Sequence, residues 1–173
     1  GMTVGELADR YLELYARPRK KSADRDEALL RRNVLRHWEN RKVTTVKRAD
    51  VAELLDKVVA RGACIQANRT HSVMSRMFNW AVEREIIEHS PVVGLRAPVK
   101  EKSRDRCLSD DELRRVLCGL DGARMSAPSR LALRFQLLTA ARPTEATGAR
   151  WDEIVWDEAH EANAVWHLPG DRT

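Results

Sequence analysis

Apolar stripes of helical period, separated by short polar breaks, run through most of the chain. "TVGELADRYLELY" sets Thr3 and Glu6 at the spacing where a hydroxyl and a carboxylate cap each other's backbone N–H, and Leu7, Tyr11, Leu14 and Tyr15 follow at helical intervals. Ser22 precedes "ADRDEALLRRNVLRHW", in which Leu30, Val34 and Trp38 form one stripe and Arg25, Arg32 and Arg36 another. Val51, Leu54, Leu55, Val58 and Val59 predict a third helix, stopped by Gly62. A fourth, roughly Cys64 to Ile87, turns Val73, Met77, Phe78, Trp80, Ala81 and Val82 inward. Its opposite face shows Arg69, Ser72, Arg76 and Asn79.

The period then fails. Pro91 and Pro98 bracket a turn or helical stub, and "VKEKSRDRC" is charged and aperiodic, so residues 99–107 read as a linker. Ser109 and Glu112 repeat the capping pair, with Leu113, Val116, Leu117 and Leu120 as the buried edge behind it. "SRLALRFQLLTAA" is apolar on nearly every side, as expected of a core helix. Two strand-like pieces, around residues 154–156 and 165–168, predict a hairpin closed by a polar loop. The expected architecture is mainly α, with a four-helix module in residues 1–98 and a small α+β unit in residues 108–173. That second unit, 66 residues, is below the size at which a lone core is comfortably stable, and it looks cut short.

Composition narrows the function. The 173 residues allow one ordinary domain or two small ones. Gly1 before Met2 reads as a remnant of tag cleavage, which leaves the natural start further upstream. The most apolar run is broken by Arg134 and Gln136, and no export signal opens the chain, so a soluble, cytoplasmic protein is expected. Cys64, Cys107 and Cys118 are odd in number and far apart, which suits free thiols. His37, His71, His89, His160 and His167 lack metal-ligand spacing, so no metal is expected. Tyr11 and Tyr15, the only tyrosines, read as packing residues, and the five tryptophans as core anchors.

Net charge is +5, and residues 1–100 hold 20 Lys and Arg against 13 Asp and Glu, while residues 101–173 hold 11 against 13. The basic excess belongs to the first half. A polyanionic partner and a merely well-solvated surface both fit it. Arg142 is more pointed, because it stands just before Pro143 at the mouth of a helix, where the dipole makes a cation costlier than Ser or Asp by up to about 1 kcal/mol. Taken alone, Arg142 and Glu145 also fit an ordinary surface ion pair.

"LLTAARPTEATGARWDEI" is similar to the segment of phage and prophage integrases, the tyrosine recombinase family, that contains the first catalytic arginine. The match takes in Leu137, Leu138, Thr139, Arg142, Glu145, Ala149, Arg150, Trp151 and Ile154. "AVWHLPGDRT" resembles the strand leading to the family's hairpin lysine, and "ANRTHSVMSRMFNWAVEREII" with "SPVVGL" resembles the last helix and exit of its core-binding domain.

The resemblance implies a SAM-like core-binding domain followed by a truncated catalytic domain, and duplex DNA as partner. In such enzymes a tyrosine attacks a phosphodiester to form a 3′-phosphotyrosyl intermediate without cofactor. A planar, permanently charged guanidinium suits the non-bridging oxygens that gain charge, which is the role implied for Arg142, with Glu145 steadying it. Arg69, Ser72, Arg76 and Asn79 are expected against the major groove, Arg32 and Arg36 on phosphates, and Lys100, Lys102 and Arg104 along the backbone. Ala140 stands where many relatives have glycine. The family's lysine, histidine or lysine, second arginine, further histidine or tryptophan, and nucleophilic tyrosine lie C-terminal to this stretch, so a DNA-binding, catalytically incomplete monomer is expected, with a parent that is tetrameric on DNA. A helical transcriptional regulator and a protein-interaction bundle are the competing readings.

Overall fold

A computed structural model describes residues 1–102, 105–156 and 164–170. The chain divides into two compact units, Gly1–Ser103 and Arg104–Thr173.

In the first unit, α1 (Val4–Tyr11) starts at Thr3, whose hydroxyl accepts the Glu6 N–H at 3.2 Å while the Glu6 carboxylate accepts the Thr3 N–H at 2.8 Å. Two further N–H groups of its first turn are taken up by residues 39–41, Val4 by the Arg41 carbonyl at 2.9 Å and Gly5 by that of Glu39 at 3.0 Å. A Cβ on Gly5 would meet the Glu39 carbonyl oxygen at 3.0 Å, so this approach favours glycine. The chain then widens into a π-helical stretch, Leu12–Ala16, before a last α turn, α2 (Arg17–Arg19). The next helical segment behaves alike: α3 (Ala23–Leu29), π-helical Leu30–Leu35, then α4 (Arg36–Trp38). Leu30, Val34 and Trp38 are buried across that change of winding.

A 3₁₀ turn, Val43–Thr45, leads to α5 (Arg48–Ala60), which Gly62 closes at φ 75°. Helix α6 (Cys64–Glu83) stops four residues short of the expected Ile87. Glu85 takes the left-handed conformation at φ 55°, its N–H reaching the Val82 carbonyl and that of Ile86 the Ala81 carbonyl, both at 2.9 Å. These paired bonds end the helix and fold Ile86 and Ile87 back onto the core. Leu7, Tyr11, Leu30, Val51, Met74 and Phe78 form the centre of that core, with essentially no exposure.

In the second unit, α7 (Asp110–Gly119) carries the expected Ser109–Glu112 caps at 3.3 and 3.0 Å. It is followed by α8 (Ala127–Thr139), α9 (Pro143–Thr147) and a 3₁₀ turn at Trp151–Glu153. Strands β1 (Ile154–Val155) and β2 (Val165–Trp166) pair antiparallel, Ile154 with Trp166 and Val155 with Val165. The hairpin is present with shorter strands than expected, and its loop, 157–163, lies outside the described residues. Helix α8 differs from the expected core helix: none of its residues is buried, and Leu131 and Leu138 are 64% and 77% exposed. The reason is a shortage of partners, since Leu120 and Ala146 are the only buried apolar residues among those described in this unit. The tryptophans divide the same way, with Trp38 and Trp80 buried as anchors but Trp151 and Trp156 exposed.

Candidate functional site

On α6 the positions expected to face a duplex are exposed together. Arg69, Ser72, Arg76 and Asn79 lie three and four residues apart on one side, while Thr70, Val73, Met74, Met77 and Phe78 are buried between them. The Arg76 Nε donates back to the Ser72 carbonyl at 3.3 Å, and Ser72 Oγ to that of Asn68 at 3.0 Å, so these side chains lie along the helix. Arg32, in the π-helical stretch, and Arg36, at the start of α4, are also exposed, whereas Arg31 is tied to Glu27 at 2.8 Å.

Beneath the stripe runs a polar layer that periodicity does not reveal. The Asn33 amide donates to Thr70 Oγ1 at 2.8 Å and accepts from Arg61 Nη2 at 2.8 Å, and Thr70 donates onward to the Gln66 carbonyl at 2.7 Å. Asn33 and Thr70 are buried, so each bond replaces one that water would have made. Asn68, also buried, holds the exit segment: Nδ2 donates to the Val99 carbonyl at 2.7 Å and to Glu101 Oε1 at 2.8 Å, while Oδ1 accepts the Val99 N–H at 3.1 Å. His71 Nε2 donates to the Leu95 carbonyl at 3.0 Å. Residues 99–101, read from the sequence as the start of a linker, are therefore docked on α6, with Lys100 and Lys102 exposed. Arg104 lies outside the described residues.

In the second unit, Arg142 occupies the cap position of α9 with extended backbone, φ −67° and ψ 152°. Pro143 follows at the first helical position, where its missing N–H costs nothing. Glu145 is buried; its Oε2 accepts the Arg142 N–H at 2.7 Å and its Oε1 accepts Arg142 Nη1 at 2.6 Å. The Arg142 side chain is nevertheless 71% exposed, against 7% for Glu145. One edge of the guanidinium is fixed and the rest faces solvent. Solvent screens such a pair, so its value lies in orientation rather than stability. Just before this turn Ala140 sits at φ 54°, ψ 22°, which explains why glycine suits the position: a Cβ there is strained.

Eight residues on, the spacing recurs. Glu153, buried, accepts the Arg150 N–H at 3.1 Å and Trp166 Nε1 at 3.0 Å, tying the hairpin to the turn. Arg150 instead donates Nε and Nη2 to Asp152, both at 3.0 Å, and that pairing holds the Asp152 carboxyl below its ordinary range. The sequence offered a signal for Glu153, namely Arg-x-x-Glu repeated, and for Asn68, an amide on the apolar side of α6. Beside these turns an open groove of about 720 Å³ is lined mainly by Pro128, Leu131, Phe135, Ala146 and Trp151. Among the described residues no three His, Cys, Asp or Glu converge to hold a metal, and no helix is long and apolar enough to cross a membrane.

The two tyrosines pack against one another. Tyr11 is fully buried, and burial, followed by the charge of Asp26, pushes its hydroxyl up to about 12. Tyr15 stacks on it with ring centroids 5.5 Å apart.

Comparison with known proteins finds relatives of this chain. The integrase of Enterobacteria phage P4 is 26% identical over 165 residues, 94% of this chain and 32% of that protein. Prophage integrase IntA of Escherichia coli K12 is 26% identical over 132 residues, 75% of this chain and 31% of that protein. The chain thus spans about a third of the length of these relatives. A lambda integrase tetramer bound to a Holliday junction superposes with a TM-score of 0.75 at 21% identity, covering 90% of this chain and 46% of that one. The model of the phage integrase central domain matches residues 4–98, more than half of the sequence, and the chain belongs to that family.

Proposed function

We propose that this chain is the DNA-holding part of a site-specific tyrosine recombinase, with residues 1–98 as core-binding domain and 108–173 as the N-terminal part of the catalytic domain. It binds duplex DNA and does not cut it unaided. The observation that carries the reading is the Arg142–Glu145 turn: a buried carboxylate fixes one edge of a guanidinium and leaves the others open to an anion. In phosphoryl transfer the equatorial oxygens gain charge as the nucleophile arrives, and a donor already aimed at them needs no reorganisation. The exposed α6 stripe supplies the second support, with Arg69 and Arg76 on the backbone and Ser72 and Asn79 towards base edges. No metal or nucleotide takes part in this scheme, and the isolated chain is a monomer acting where the cell keeps its DNA.

A duplex whose nick traps covalent intermediates should give no protein–DNA adduct on a denaturing gel, because the buried Tyr11 and its neighbour Tyr15 are the chain's only tyrosines. An adduct would sink the assignment. In titrations at several salt concentrations, Arg69→Ala and Arg76→Ala should each flatten the dependence of log K on log salt by about one unit. Unchanged slopes in both remove α6 from the interface. A transcriptional regulator would use the same helix but leaves the Arg142 turn without a task.

A further inference from the structure

We propose that Asn68 is a positioning residue for the nucleic-acid interface: it pins the exit segment to α6 so that Lys100 and Lys102 extend the basic edge begun by Arg69. The proposal rests on the DNA-binding reading above. Asn68 sits one residue before Arg69, and its side chain is buried rather than part of the exposed stripe. Both of its polar atoms face the same partner. Oδ1 accepts the Val99 N–H at 3.1 Å and Nδ2 donates to the Val99 carbonyl at 2.7 Å, so one amide satisfies both backbone groups of one residue, as a neighbouring strand would.

The second proton of Nδ2 goes to Glu101 Oε1 at 2.8 Å, which turns the one acidic side chain of this stretch towards the helix. Lys100 and Lys102, on either side of it, are left exposed. An untethered segment of this composition would be a flexible chain, and each phosphate contact it made would carry the entropy of ordering it. The latch meets that cost in the free protein, and His71 supports it by holding Leu95 four residues earlier at 3.0 Å. Apolar residues at position 68 would leave the Val99 N–H and carbonyl without their partner, so the choice of an amide follows from what it holds.

The test uses the whole 173-residue chain and a labelled DNA duplex of arbitrary sequence. In the wild type, the Val99 amide should exchange with deuterium at least about tenfold more slowly than in Asn68→Ala. Exchange at the free-peptide rate in the wild type overturns the latch. Lys100→Ala/Lys102→Ala should flatten the salt dependence of binding by about two units, and Asn68→Ala, which changes no charge, should produce much of the same loss. Combining them should add little. A purely structural role for Asn68 would lower stability but leave the lysine effects at full size in the Asn68→Ala background, and that result refutes the proposal. Should Asn68→Ala not fold, Val99→Pro deletes the N–H donor without touching helix or charge and should give the same coupling. A wild-type chain with no salt-dependent binding overturns the DNA reading and the positioning role together, while the exchange measurement still reports separately whether the latch exists.

Discussion

In the first unit the apolar faces of the helices close on one another, whereas in the second the most apolar helix, α8, keeps Leu131 and Leu138 largely exposed. Local structure does not distinguish the two. Thr3–Glu6 and Ser109–Glu112 make the same reciprocal caps, and both units use buried polar side chains to join separate segments, Asn33 and Asn68 in one, Glu153 in the other. The difference lies in what each helix finds to pack against. Capping and propensity make a helix possible, but burial of its apolar face supplies most of its stability in a protein.

The largest effect that would sharpen this contrast is in the core. Phe78→Ala in α6, fully buried, should destabilise the first unit by about 3–5 kcal/mol, whereas Leu138→Ala in α8 should change stability by less than about 0.5 kcal/mol. Chemical denaturation of both variants checks it, and a comparable loss at Leu138 would mean that α8 is covered after all. Next comes Tyr11, whose hydroxyl is buried without a hydrogen-bond partner among the described residues. Tyr11→Phe should be neutral to stabilising by about 1 kcal/mol at pH 7. The folded-state value is raised above that of the unfolded chain, so wild-type stability is full below about pH 10 and is lost as pH rises towards about 12. The Phe variant should resist alkali better, read by circular dichroism across that window. The smallest effect compares two left-handed residues, one per unit: Glu85→Gly and Ala140→Gly should each gain roughly 0.5–1 kcal/mol by relieving a strained Cβ. A loss at either position would show that its side chain contributes contacts outweighing the strain.

Much of the candidate site could be read in the sequence because it depends on spacing. Arg69, Ser72, Arg76 and Asn79 fall on one face by helical geometry alone, and Arg142 with Glu145 three residues on meets by the same rule. What escaped was held over distance. Asn68 meets Val99 and Glu101 across 31 and 33 residues, and Asn33 meets Thr70 across 37, separations about which a local pattern carries no information. The π-helical stretches escaped for another reason, since the residues at Leu12–Ala16 and Leu30–Leu35 still read as a period of 3.6 although their bonds reach one residue further.

By itself the sequence determined which segments are helical, where Thr3, Ser109 and Gly62 begin or end them, and which cations share a face, because these depend on neighbours within a turn or two. Only the tertiary structure decided that the exit segment lies on α6, that Glu145 is buried while Arg142 stays open, and that α8 meets too few partners to become a core helix. Burial is a property of what surrounds a residue, and an apolar stripe specifies a need for cover without specifying what supplies it.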